Sequence, residues 1–428
     1  MSEKISININ SEIGELEAVI LHKPGLEVEN MTPRNAQRAL YSDILNLSVA
    51  QKEYSQLSCL LAGLTKTLYV EDLLRDVLSI QDCRESLIRK ICSNEAQSGL
   101  ILPLMEIDSP KLANQLIQGV PIKRDTITNF FNEDNYSLAP LHNFFFTRDA
   151  SVSIHNKVLI SSMANRVRVR ESFIMQAIFE YHPLFQAGTM DPLAEKALDP
   201  FIKIEGGDIL IAREDILIIG IGARTSSQGI DFILEQLKSN KKKQHVIVQE
   251  LPFEPESFIH LDMVFTLLDK NCCMVYEPLI LTPNRFKTVH IELENGNVTS
   301  ISVVDNIPSV LRSLGMDLEI AYCGGTGDDM VQEREQWHSG ANFFAFAPGK
   351  VIGYNRNTYT LENMNKAGFE ILKAKDVNAG KSNPRDYKRC VVTIDGSELA
   401  RGGGGARCMT MPVARKDVDW NNLKMGRI

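Results

Sequence analysis

Glu205-Gly206-Gly207-Asp208-Ile209-Leu210-Ile211-Ala212-Arg213-Glu214-Asp215-Ile216-Leu217-Ile218-Ile219 decides the fold. A polar, glycine-split opening leads into two apolar runs, Ile209-Leu210-Ile211 and Ile216-Leu217-Ile218-Ile219. Between them stands the polar turn Arg213-Glu214-Asp215. Short runs rich in β-branched residues around such a turn predict a hairpin, and the pattern of Ser227 to Ser239 predicts a helix after it.

The same unit recurs on either side. Val152-Ser153-Ile154 and Val158-Leu159-Ile160 flank His155-Asn156-Lys157; Met263 to Leu268 and Cys272 to Tyr276 flank Asp269-Lys270-Asn271; Phe343-Phe344-Ala345-Phe346 and Val351-Ile352-Gly353-Tyr354 flank Pro348-Gly349-Lys350. Helical patterns follow at Arg170 to Tyr181, Ile307 to Leu314 and Leu361 to Ala367. The hairpin turns return every roughly 55–80 residues, a period that suits a supersecondary unit. Identity between units is negligible, so the repeat is one of pattern. Ahead of it, Glu17 to His22 predicts a strand ending at Lys23-Pro24-Gly25. Helices are expected at Ala36 to Leu45 and Ala50 to Leu64, and a short strand at Thr67 to Val70. From Glu71 to about Asn135 apolar residues fall at helical spacing, and Asp108-Ser109-Pro110 is a helix-start signal. The expected organisation is an α/β unit, 1–70 and 139–428, interrupted by a helical domain, 71–138.

Composition sets limits. The chain has 428 residues, 44% hydrophobic and 23% charged, enough for a large core without disulfide or metal staples. A net charge of -8 argues against nucleic acid as a partner. No apolar run is long enough for a membrane span, and Met1 to Asn10 lacks the apolar core of a signal peptide. The eight cysteines include no C-x-x-C pair, so free thiols in the cytoplasm are expected.

The polar residues carry the chemistry. Phe146-Thr147-Arg148-Asp149, Glu205-Gly206-Gly207-Asp208 and Phe258-Ile259-His260-Leu261-Asp262 each stand just before a hairpin, and Cys408 opens a last β-rich run to Val413 after Gly402-Gly403-Gly404-Gly405. In a radial arrangement of units Asp149, Glu205, His260, Asp262 and Cys408 converge on one axis. His260 and Asp262, at i and i+2, would share a strand face. Arg407 beside Cys408 favours thiolate, the nucleophilic form. A metal reading mixes hard carboxylates with a soft thiolate, which suits few ions, and no metal or cofactor is expected. The other reading is a carboxylate cage for a guanidinium, whose N–H donors need acceptors around its plane. Cys408 would attack the central carbon and His260 would shuttle protons. Arg168 and Arg224, each after a hairpin, are candidates for a substrate carboxylate.

These motifs, in this order, with His260-Leu261-Asp262-Met263-Val264-Phe265-Thr266 and Ala406-Arg407-Cys408-Met409-Thr410-Met411-Pro412, resemble those of the arginine deiminases of the guanidine-modifying superfamily. The resemblance spans almost the whole chain, from Glu17-Ala18-Val19-Ile20-Leu21-His22-Lys23-Pro24-Gly25 onward. It implies a pseudo-fivefold ββαβ propeller with an inserted helical domain, and conversion of free L-arginine to L-citrulline and ammonia without a cofactor. It implies Cys408 as nucleophile, His260 as general acid/base, and Asp149, Asp262 and Glu205 as the guanidinium grip. Arg168 and Arg224 would hold the α-carboxylate, with Asn143 and Phe146 completing the contacts. A homo-oligomer is the expected assembly. One departure stands out: some relatives carry an arginine a few residues before the nucleophile that enters the empty site, whereas Arg401 and Arg407 lie at other offsets. Agmatine deiminase, amidinotransferase and a non-catalytic arginine-binding protein are the competing readings.

Overall fold

The computed structural model describes residues 4–32, 43–195 and 199–421. The four hairpins form as antiparallel pairs: Ser151–Ile154 with Lys157–Ile160, Ile209–Arg213 with Ile216–Ile221, Phe265–Asp269 with Cys272–Val275, and Phe344–Ala347 with Lys350–Tyr354. In each, the second strand then takes a parallel neighbour: Gly188–Met190, Gln244–Glu250, Glu319–Tyr322 and Cys390–Ile394 respectively. Parallel neighbours require a crossover. Helices Val169–Tyr181, Ser227–Leu237, Ile307–Ser313 and Thr358–Lys366 lie within those four crossovers.

A fifth sheet joins the two ends of the chain. Met411–Arg415 pairs antiparallel with Leu16–Leu21, which pairs parallel with Lys66–Tyr69 after helix Leu47–Leu64. This is the same unit with its first strand supplied from the far end of the sequence. The helix expected at Ala36 to Leu45 lies mostly outside the described residues.

Shared cores connect the sheets in turn. Ala18, Ile20 and Val413 share a core with Val158 and Ile160. Ile154 and Leu159 share one with Ile211 and Ile219. Ala212 and Ile218 lie in one core with Leu267, Cys273, Ala345 and Val351. Phe344, Ile352 and Val392 lie in another with Leu16 and Val19. Each sheet therefore shares apolar packing with the next, and the last with the first.

Between Lys66–Tyr69 and the strand Tyr136–Leu138 run helices Val70–Val77, Gln81–Asn94, Ile101–Met105 and Ser109–Gln118. Asp108 caps the last of these by accepting from the Lys111 amide, with Pro110 in its first turn. Leu74, Ile88 and Leu116 pack into the same core as Ile174 and Ile178 of helix Val169–Tyr181, so these helices rest directly on the first hairpin unit. A second hairpin, Thr288–Glu294 with Asn297–Val304, extends the sheet of Gln244–Glu250. Among the described residues no helix is long and apolar enough to cross a membrane.

Candidate active site

A short helical turn precedes three of the hairpins: Thr147–Ala150, Gly206–Asp208 and Leu261–Met263. Each turns the chain so that a polar side chain at its start or within it leaves the sheet at the same end of the unit. His260 is extended backbone (φ -138°) and Asp262 sits inside the turn. The pair is therefore not presented by strand alternation, as expected from spacing, but at the start of a turn, from which His260 meets Glu205 and Asp149 while Asp262 meets Arg407 and Cys408. Cys408 likewise lies in the turn before Met411–Arg415 and not within a strand.

All five candidate catalytic side chains are buried; Asp149 is 3% exposed and the others less. His260 Nε2 lies 3.0 Å from Glu205 Oε2, and its Nδ1 3.7 Å from Asp149 Oδ1. Cys408 Sγ lies 3.8 Å from Asp262 Oδ2. Glycine makes this packing possible: a Cβ on Gly207 would come within 2.5 Å of His260 Nδ1, and one on Gly206 within 2.1 Å of the Arg148 carbonyl oxygen. Asp208 holds the next turn in place by accepting from the Leu261 amide (2.9 Å) and the Thr225 hydroxyl (2.6 Å).

The electrostatics separate the groups. Burial disfavours a charged His260, but Asp149 and the hydrogen bond to Glu205 outweigh it and raise its pKa to about 9. Burial also disfavours an ionised Glu205, yet Arg224, His260 and Arg168 hold it down at about 2. Burial, then Asp262 and Asp149, push the Cys408 thiol well above its usual range, and the opposing pull of Arg407 is smaller. The expected activation of Cys408 by Arg407 is thus weak in this state. The reason is visible in the contacts of Arg407, which is bound to Glu12 (3.0 and 3.1 Å) and to Asp262 Oδ2 (2.7 Å).

Arg168 donates to both oxygens of Glu171 (3.1 Å), to Asp149 (2.6 Å) and to the carbonyls of Asn143 and Phe146 (3.3 and 3.4 Å). Its donors are engaged by protein. Arg224 is more open: it approaches Glu205 at 3.8 Å and lines a cavity of about 230 Å³ with Ile259, Trp337, Arg401, Gly402 and Gly403. The Phe146 ring packs against the glycine loop, within 2.6 Å of where a Gly404 Cβ would stand. Arg401 faces the same cavity and pairs with Asp43, while Arg407 is buried.

Sequence reasoning missed Asn342. Its Nδ2 donates to Cys408 Sγ at 3.2 Å and to the Asp262 carbonyl at 3.2 Å, while its Oδ1 accepts from the Arg407 and Cys408 amides at 3.0 and 3.3 Å. It stands just ahead of Phe344–Ala347, the place that the repeat assigns to a polar residue in every other unit, so the repeat itself held the signal. Glu12, the partner of Arg407, had no such signal.

The fold aligns with those of SxtG, an amidinotransferase from Microseira wollei (14% identity, 96% of this chain and 98% of that one, TM-score 0.52), and the N-terminal domain of ArgZ, an arginine dihydrolase from Cyanobacteria (13%, 93% and 97%, TM-score 0.51). It is thus a mixed α/β fold shared with an amidinotransferase and an arginine dihydrolase. Residues 37–415 match the family Arginine deiminase. The arginine deiminase of Bacillus cereus (strain ATCC 10987 / NRS 248) is 33% identical across 97% of this chain and 100% of its own, and that of Listeria monocytogenes serotype 4a 32% identical across 98% and 100%. The chain belongs to the arginine deiminase family.

Proposed function

We propose that the chain hydrolyses free L-arginine to L-citrulline and ammonia through an amidino-thioether on Cys408. The observation that supports this best is the pairing of a buried thiol against Asp262 with an imidazole held protonated by Glu205 and Asp149. A guanidinium bound between Asp149, Glu205 and Asp262 brings a positive charge to Cys408, which offsets the carboxylates that hold its proton on. The thiol proton leaves to water as the cation is bound, and the thiolate adds to the central carbon. The imidazolium of His260 gives its proton to the departing nitrogen, and ammonia leaves as the C–N bond breaks. Neutral His260 then takes a proton from water. The hydroxyl adds to the same carbon, the C–S bond breaks to restore the thiolate, and the hydroxyl proton passes to water as the carbonyl of citrulline forms.

Arg224 holds the substrate carboxylate at the cavity, and Arg168 joins it when Asp149 exchanges that arginine for the guanidinium. Asn143 and Phe146 line the remaining path. The cyclic sharing of cores supports the five sheets as blades of a pseudo-fivefold propeller, into which 71–138 is inserted as a helical domain. A cytoplasmic homo-oligomer fits this reading. Arginine supplied alone should yield equimolar citrulline and ammonia; a requirement for an acceptor amine would instead indicate amidino transfer. Arg224→Ala should raise KM for arginine and leave agmatine, which has no carboxylate, unaffected.

A further inference from the structure

Strands Gln244–Glu250 and Thr288–Glu294 carry a second group of chemically active side chains, away from the thiol. In their antiparallel register His245 stands opposite Glu292, and Ile247 opposite His290. Residues two apart on a strand share a face, so His245, His290 and Glu292 project from one side of the sheet. His245 Nδ1 lies 3.0 Å from His290 Nε2, with the rings stacked at 5.1 Å. Donor atoms of all three residues lie within 4.8 Å of one another. At Glu292 the pairing with Asn297–Val304 loses register, a bulge that re-aims side chains.

We infer that His245, His290 and Glu292 form a binding site for one divalent transition-metal ion of the zinc class, separate from the deimination site. Zinc takes imidazole nitrogen at about 2.0–2.1 Å, so two nitrogens on one ion stand roughly 3.0–3.4 Å apart. The two imidazoles already meet that separation. Each ring can turn a lone pair toward the ion in place of the hydrogen bond between them. Two imidazoles and one carboxylate suit zinc and its neighbours and do not suit calcium or magnesium, which take oxygen ligands. Water would complete the coordination. Glu292 is now paired with Lys243 at 2.8 Å, and both side chains reach solvent, with 49% of Lys243 and 31% of Glu292 exposed. Such a pair is weak and yields to a divalent ion. The ion would fasten the added hairpin to the repeated sheet.

The test uses the full chain carrying Cys408→Ser, which removes the thiol as a competing zinc ligand. After chelator treatment, zinc is titrated against a chromophoric indicator and thermal melting is followed. One zinc per chain is expected, with a rise in melting temperature. Adding His290→Gln, at a half-buried position, should weaken binding by at least about 100-fold and abolish the thermal shift; Glu292→Gln should weaken it by about tenfold or more. No zinc bound by Cys408→Ser, or equal binding with and without His290 and Glu292, overturns the inference.

Discussion

Glu205→Gln isolates the charge that keeps His260 protonated. The substitution preserves shape and leaves an amide oxygen to face His260 Nε2, now 3.0 Å from a carboxylate oxygen. A hydrogen bond to a charged partner contributes about 1.5–3 kcal/mol and a neutral one about 1 kcal/mol. The loss of about 1–2 kcal/mol corresponds to about one pH unit, so His260 should fall from about 9 to roughly 8. Asp149 and Asp208, which also favour the imidazolium, keep it from falling further. His260 has a higher pKa folded than unfolded, where it is about 6.5. Its contribution, on the order of 3 kcal/mol, is therefore complete below about pH 6.5 and is lost as pH rises through about 9. In the variant that alkaline loss should be smaller and end roughly one pH unit earlier. Nitrogen-detected NMR of the histidine ring measures the titration, and urea melts between pH 6 and 10 measure the stability. An unchanged His260 titration in Glu205→Gln, or a wild-type His260 already neutral at pH 7, would show that Glu205 does not hold the proton on His260.

Three further outcomes concern the contacts of His260 and Cys408. Asn342→Ala removes the donor to Cys408 and leaves two buried amides without their acceptor; kcat/KM should fall about 10- to 100-fold and stability by about 2–4 kcal/mol, against an effect under threefold if Asn342 only fills space. Gly207→Ala places a methyl where His260 stands, so activity should fall by at least about 100-fold with a folded circular dichroism spectrum; near-normal turnover would show that His260 position is immaterial. Alkylation of Cys408 should be slow at neutral pH in the free enzyme, because burial and the carboxylates hold the proton on, and a non-cleavable amidinium ligand too small to block the thiol should accelerate it. A thiol pKa well below neutral without ligand would contradict the assignment of activation to the substrate cation.

The hairpins were legible because their apolar runs are short, β-branched and closed by polar turns, and the fold repeats that pattern. The same repeat placed Asp149, Glu205, His260 and Asp262 at one end of each unit. Its fifth member was not legible as a pair, because Leu16–Leu21 and Met411–Arg415 are brought together only by closure of the whole chain. The turns that present Asp149 and Asp262 are too short to show helical periodicity. Thr288–Glu294 alternates Val289, Ile291 and Leu293 with His290 and Glu292, a half-exposed pattern that the reading of continuous apolar runs passed over. Asn342 is not titratable and drew no attention as chemistry, although its position in the repeat matches that of the acidic residues. Arg407 was legible beside Cys408, but what takes up its charge was not, since Glu12 lies at the opposite end of the sequence.

In this mechanism Cys408 carries the carbon of the substrate. Rapid acid quench of the enzyme with arginine, followed by mass spectrometry of the Cys408 peptide, tests it directly. An adduct equal to arginine less ammonia should form on Cys408 within the first turnover and be absent in Cys408→Ala along with citrulline production. Full activity in Cys408→Ala, or turnover with the adduct on another residue, would contradict it.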